Sequence, residues 1–348
     1  MLIGIQPDRL GKESFSDKWI DFFNKRDIKT KILDLTQSDA LEQAKQCDGI
    51  MWRWTHNPQD KQCAQKILFS IEHMLKIPVF PDISTSWHYD EKVVQYYLLQ
   101  SINAPVPDTW IFWKSDQAFE WAKTASYPVI FKLSSGAGSS NVIKVKNFAE
   151  AKNLIIKMFR QGFFPYTMNE FRKSKFPINF SDFKSFISRT YRSLKFILYE
   201  EYPPLHSTWW RPEFGYIYFQ EFLPGNSFDV RVTIIGNRAF AFRRWNRPND
   251  FRASGSGKLD YDLEKIEKKC IAIAFQISNK CKFQSMAYDF LMKNNRPVVC
   301  EISYTFVDEA VYDCPGHWDS KMQWHDGHMW PEEAQVEDFI KKILEHRP

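Results

Sequence analysis

Residues 127–142 read YPVIFKLSSGAGSSNV, an apolar strand that delivers Lys132 into a run of small residues. Small side chains let the backbone approach an anion closely, and successive N–H groups then line up as donors. One ammonium and such a loop can hold a phosphate chain, with Ser135, Gly136, Gly138, Ser139 and Ser140 expected as loop contacts. The same stretch also fits a hairpin turn beside an ordinary surface lysine. It is not GxxxxGK[ST], which excludes the Walker type of phosphate loop.

Two acids further on give this loop a chemical counterpart. Asp289 in MAYDFL and Glu301 in VVCEIS each interrupt apolar sequence, and the LMKNNR between them predicts a hairpin that sets their strands face to face. A carboxylate in such a strand costs desolvation unless something positive pairs with it. Two on one face repel each other, which magnesium relieves by bridging them to phosphate oxygens, with Ser303 as a third, weaker oxygen. Pairing of each acid with Arg or Lys is the other reading.

Arg231, Arg243, Arg244 and Arg252 fall on or beside strands, and Asp229 has the same strand parity as Arg231, so those two should face the same way. Guanidinium groups there can clamp a carboxylate or a transferring phosphoryl group through paired donors. A solvated basic face is the bland alternative. His317, His325 and His328 share an acidic, aromatic tail with Cys314. Their spacing permits zinc, but the order fits no strong zinc template, so lining a substrate or stabilising a loop is the better expectation.

A chain of 348 residues can bury a full core and divide into two or three lobes. Its net charge of +5 is modest, with Lys and Arg scattered among 42 acidic residues, so nucleic acid is not demanded as a partner. The six cysteines show no CxxC pair and are expected as reduced, structural thiols. MLIGIQPDRLG is too short in its apolar part for a signal peptide, and no run approaches the roughly 18 apolar residues of a membrane helix. No membrane span and a cytoplasmic location are therefore expected.

Strands expected at 2–6, 30–35, 49–52 and 79–81 alternate with helices near 15–26 and 60–75, a βαβ pattern that predicts a small parallel sheet. The first turn, QPDRLGK, lacks GxGxxG and predicts no dinucleotide site. A helix over 89–101 is stopped by Asn103, Pro105 and Pro107. Residues 110–159 read strand, helix, strand, loop, strand, helix. Gly236-Asn237 predicts a tight turn between strands 229–235 and 238–244, and a helix over 263–276 precedes the acid-bearing hairpin. The expected division is an N-terminal α/β domain (1–88), a small lobe with the glycine/serine loop (89–161), an aromatic, basic insertion with its own helix (162–215), and a larger lobe with the acids and the tail (216–348).

In this order, over residues 90–302, the motifs resemble those of the ATP-grasp superfamily of carboxylate-amine ligases. DEKVVQYYLLQSINAPVPDTW is similar to that family's entry helix, with Lys92 as the first nucleotide lysine, and the loop hairpin supplies Lys132 as the second. FQEFLPG resembles the segment between the lobes, which implies that Glu221 and the backbone of Phe222 and Leu223 contact adenine and that Asn226 or Asp229 lies near ribose. FDVRVTIIGN and FAFRR resemble the strands carrying the arginines, so Arg231, Arg244 and Arg252 are implied as catalytic, with Asp289, Glu301 and Ser303 at the metal. Ser303 is a departure, since the family usually has Asn there.

The resemblance implies an α/β (α+β) fold with two α+β lobes gripping a nucleotide, preceded by a small parallel βαβ domain. It implies ATP with magnesium or manganese, small-molecule carboxylate and amine substrates, an acylphosphate route to ADP and phosphate, and leaves a homodimer open. FDVRV, DFRASGSG and the tail also resemble ATP-grasp proteins of bacterial surface polysaccharide biosynthesis, which implies an amino acid joined to a sugar or peptide acceptor. A small-molecule kinase and a non-catalytic nucleotide-binding regulator are the competing readings.

Overall fold

The computed structural model describes residues 1–8, 14–136, 141–165, 212–248, 250–253 and 255–346. Gly138, Ser139 and Ser140, and all but the ends of the expected 162–215 insertion, lie outside the described residues. By contact the chain forms two compact units, one of Met1–His56, Asp60–Asp108 and Leu223–Pro348, the other of Asn57–Gln59 and Thr109–Phe222.

The first unit opens with β1 (Leu2–Ile5), α1 (Phe15–Asn24), β2 (Lys29–Ile32), α2 (Ala40–Ala44), β3 (Gly49–Met51), α3 (Pro58–Phe69), β4 (Val79–Phe80), α4 (Ile83–Ser86) and α5 (Lys92–Ser101). The strands form the parallel sheet that the βαβ pattern predicts, in the order β2-β1-β3-β4. Helix α1 begins where the Ser14 hydroxyl accepts the Asp17 N–H at 3.1 Å. Phe15, Trp19, Phe22 and Phe23 recur at helical spacing and are buried. The helix expected over 60–75 stops as α3 at Phe69, and a π-helical turn spans Ser70–Met74.

The second unit contains β5 (Thr109–Phe112), α6 (Ser115–Thr124), β6 (Val129–Lys132), β7 (Val142–Val145), α7 (Phe148–Arg160) and β8 (Ile217–Glu221). Its strands make an antiparallel sheet in the order β5-β8-β6-β7. Helix α7 is started by Asn147, whose side chain accepts the Glu150 N–H at 3.0 Å.

The rest of the first unit is β9 (Phe228–Ile235), β10 (Arg238–Trp245), β11 (Leu259–Asp260), α8 (Lys268–Cys281), β12 (Ser285–Lys293), β13 (Arg296–Ser303), α9 (Asp308–Tyr312), β14 (Gly316–Asp319), β15 (Trp324–Asp326) and α10 (Pro331–His346). A seven-stranded antiparallel sheet runs β13-β12-β9-β10-β14-β15, with β11 also on β10. Asn294 and Asn295, at φ 49° and 59°, make the β12–β13 hairpin turn left-handed at both central positions. Alternate residues of the sheet bury opposite ways. Val230, Val232 and Ile234 join Ile271, Ala274 and Phe275 of α8 and Ile50 of β3. Phe240 and Phe242 pack with Trp19 and Phe23 of α1 and Phe339 of α10.

Trp19 Nε1 donates to Gln335 Oε1 at 2.9 Å across the α1–α10 contact. This shared core puts residues of the expected N-terminal domain and of the larger lobe into one unit. All six cysteines are free thiols. No helix among the described residues is long and apolar enough to cross a membrane.

Candidate functional site

Strand pairing sets Phe242, Arg231, Asp289 and Glu301 in one row across β10, β9, β12 and β13. Directly opposed residues share a sheet face, so Asp289 has a guanidinium on one side and a carboxylate on the other. Arg231 grips Asp289 through Nε to Oδ1 at 2.8 Å and Nη2 to Oδ2 at 2.9 Å. Arg244 grips Asp229 in the same forked way, at 2.8 and 2.6 Å. Its Nη2 also lies 2.8 Å from Asp289 Oδ2, which joins the two pairs into one buried cluster. Of the two readings of Asp289, ion pairing is the arrangement observed.

Electrostatics separates the two acids. Burial works to raise the Asp289 carboxyl, but Arg231 and Arg244 together outweigh it and hold the group well below the usual carboxylate range. At Asp229 burial prevails over Arg244 and pushes the carboxyl up.

Lys92, at the start of α5, brings its Nζ to 3.4 Å from Glu301. The lysine and the acid that sequence assigned to nucleotide and metal are thus neighbours. Ser303 Oγ donates to the Thr305 carbonyl at 2.8 Å and accepts the Thr305 N–H at 3.2 Å, so its hydroxyl serves a local turn. The Asn226 amide bridges to β12, accepting the Met292 N–H at 2.8 Å and donating to the Met292 carbonyl at 3.0 Å. Arg252 Nε donates to both oxygens of Asp250, at 3.0 and 2.9 Å. Arg243 pairs with Asp260 of β11.

The structure therefore gathers Lys92, Asp229, Arg231, Arg244, Asp289 and Glu301, and gives Asn226, Arg252 and Ser303 local contacts. In the tail, the His317 and His325 rings stack at 5.1 Å, His325 Nε2 is 3.3 Å from Asp319, and His328 Nδ1 bonds the Tyr312 carbonyl at 2.7 Å. No group of three or more His, Cys, Asp or Glu among the described residues is placed to hold a metal.

In the second unit Lys132 ends β6 and is 9% exposed. The hairpin continues past it, with the Leu133 N–H on the Asn141 carbonyl at 3.1 Å. Asn141 Nδ2 donates to the Ser135 carbonyl at 3.0 Å, tying the two shoulders of the loop together. Between them Gly136 has φ +107°, and a Cβ there would stand 2.1 Å from Asn141 Nδ2, so glycine is required.

The Ser134 and Ser135 N–H groups donate to the Glu213 carboxylate at 2.9 and 3.1 Å, and the Ser135 and Tyr216 hydroxyls donate to it as well. The loop thus binds an anion through successive backbone donors, and the anion is the chain's own. Sequence reading missed Glu213 and Tyr216. They meet the loop because β8 pairs with β6, and no local pattern announces it. Glu221 closes β8 opposite Val129, and Lys144 Nζ sits 3.6 Å over the Phe222 ring.

No family model and no curated protein matches the chain. Solved structures do. A RimK domain ATP-grasp protein from Sphaerobacter thermophilus is 14% identical with a TM-score of 0.54, covering 98% of this chain and 100% of that one. A D-alanine–D-alanine ligase from Bacillus anthracis, complexed with ATP, is 12% identical with a TM-score of 0.55, covering 100% and 99%. The macrocyclase MdnC from Microcystis aeruginosa, bound with precursor peptide MdnA, is 11% identical with a TM-score of 0.57, covering 98% and 99%. Likeness at this level of identity shows the fold: the chain has the α+β ATP-grasp fold that its motif order implied.

Proposed function

We propose that this chain is an ATP-dependent ligase, using magnesium or manganese, that activates a carboxylate as an acylphosphate and joins it to an amine, releasing ADP and phosphate. The observation that carries this reading is the row of Arg231, Asp289 and Glu301 on one sheet face, reached by Arg244 and Lys92. Adjacent carboxylates are the donor chemistry of a hard divalent cation, and Asp289 and Glu301 are the residues that would hold it, with Ser303 as a third oxygen. Bound there, the cation would neutralise charge on phosphoryl oxygens.

Asp289 Oδ2 receives both Arg231 and Arg244, whereas Oδ1 receives Arg231 alone among the described residues, so Oδ1 keeps a lone pair for the cation. Guanidinium groups carry paired donors for a substrate carboxylate or a transferring phosphoryl group, the role proposed for Arg231 and Arg244, with Arg252 assisting. Lys92, Lys132 and the small-residue loop are assigned to phosphates, and Glu221 with the backbone of Phe222 and Leu223 to adenine. The ribose role requires Asn226 or Asp229 to share its present partners. No side chain acts as a covalent nucleophile. The substrate carboxylate attacks phosphorus, and the amine then displaces phosphate.

The finer form of the proposal has an amino acid joined to a sugar or peptide acceptor of surface polysaccharide, in the cytoplasm. Incubating the protein with ATP, magnesium and a panel of amino acids and sugar acids should yield ADP with an amine-dependent product. AMP and pyrophosphate instead would overturn the reaction type, and a stable phosphorylated product formed without any amine would make the protein a kinase. A nucleotide-binding regulator is the second reading, favoured by the arginine-held Asp289 and the turn-bound Ser303. It predicts ATP binding without turnover across the panel.

A further inference from the structure

We propose that the Ser134–Ser135 loop is an exchangeable anion site, held by the Glu213 carboxylate and given over to a phosphoryl group when nucleotide binds. The inference rests on the nucleotide reading above and adds an internal competitor to it. Two successive N–H groups and one hydroxyl of the loop converge on a single carboxylate, with Lys132 two residues before Ser134. Carboxylate and phosphoryl oxygens make the same demand on such donors, so either anion satisfies them.

The loop's shape has supports that do not involve Glu213. Asn141 braces the Ser135 carbonyl, and Gly136 lets the chain turn against Asn141. Glu213 is anchored through its backbone, which exchanges hydrogen bonds with Phe163 at 3.0 and 2.9 Å. Its carboxylate can therefore swing off the donors by side-chain rotation while the loop and the backbone bridge stay in place. Nucleotide must displace this occupant, so apparent affinity is lowered by the fraction of protein in which Glu213 is seated.

The test is calorimetric titration of the full chain with magnesium-ATP, beside thermal unfolding of each variant to establish that it is folded. Glu213→Gln keeps the shape and removes the charge, and should bind about tenfold more tightly. Glu213→Asp keeps the charge but falls short of the loop, and should also tighten binding. Tyr216→Phe removes the hydroxyl that joins Glu213 to the Ser134 N–H, and should tighten it by a smaller factor, which serves if the glutamine variant does not fold.

Unchanged or weaker binding by folded Glu213→Gln would overturn the exchange and make Glu213 a brace. Tightening by Glu213→Gln but not by Glu213→Asp would also overturn it, since only through-space repulsion would then be at work. Absence of binding by the wild type and every variant would remove the nucleotide reading itself, and the exchange with it.

Discussion

In the cluster of Asp229, Arg231, Arg244 and Asp289 each charge meets an opposite charge from a neighbouring strand, whereas in the Ser134–Ser135 loop one carboxylate is held by neutral backbone and hydroxyl donors. The difference lies in what each arrangement loses when a partner goes. A buried charge stripped of its partner keeps the full desolvation cost, so the cluster behaves as framework. Neutral donors on a loop accept whichever anion arrives, so in the exchange proposed above the loop acts as a receptor. Glu332 adds a third case. It is buried beside Asp308, and neither of its oxygens accepts a hydrogen bond from the described residues. Burial first, and then Asp308, push its carboxyl up to about 8 against the pull of Lys18.

The sharpest way to break the comparison is Asp289→Ala. Removing this carboxylate strands Arg231 and the shared edge of Arg244, and unfolding in denaturant should show a loss of about 3–5 kcal/mol. A variant as stable as wild type would mean that the cluster contributes no framework.

Next in size is the pH dependence set by Glu332. The folded protein keeps this proton up to about pH 8, while the unfolded chain releases it near 4.5. Stability from this group is complete below pH 4.5 and is lost as pH rises toward 8, by roughly 2–4 kcal/mol. Glu332→Gln should flatten that slope in denaturant melts taken across the range. An unaltered slope would show that the acid is not carried neutral.

Within the loop the effects should be smaller. Gly136→Ala forces a side chain into a backbone conformation that suits glycine and against Asn141, and should cost about 1–3 kcal/mol with loss of nucleotide affinity. If melting temperature and affinity both stay at wild-type values, the loop is looser than described. Ser135→Ala removes one hydroxyl donor to Glu213 and should cost about 0.5–1.5 kcal/mol, read from the same melts. A loss as large as that of Asp289→Ala would erase the distinction between framework and receptor.

Local chemistry made much of this legible. The apolar run into a small-residue loop announced Lys132, and the Asn294-Asn295 turn fixed the hairpin register as far as Phe290 opposite Val299; a register shift beyond that pair, which no turn signal announces, brings Glu301 rather than Cys300 opposite Asp289. Strand parity put Asp229 and Arg231 on one face. The fold class followed from the order of such motifs. Less legible were the partners: Arg231 and Asp289 are 58 residues apart, and Ser135 and Glu213 are 78 apart.

What residue order settled was the longer strands and helices, the hairpin turns and which side chains shared a face, because those depend on backbone preferences a few residues long; the short elements α2, α4, β11, α9, β14 and β15 carry no such signal. Which charge each acid would meet was settled by strand order: β9 lies between β10 and β12, and β8 runs beside β6. Such pairings form only when distant segments pack, and a carboxylate written the same way in the sequence becomes a framework ion at Asp289, a loop anion at Glu213 or a protonated acid at Glu332 according to the donors that packing brings to it.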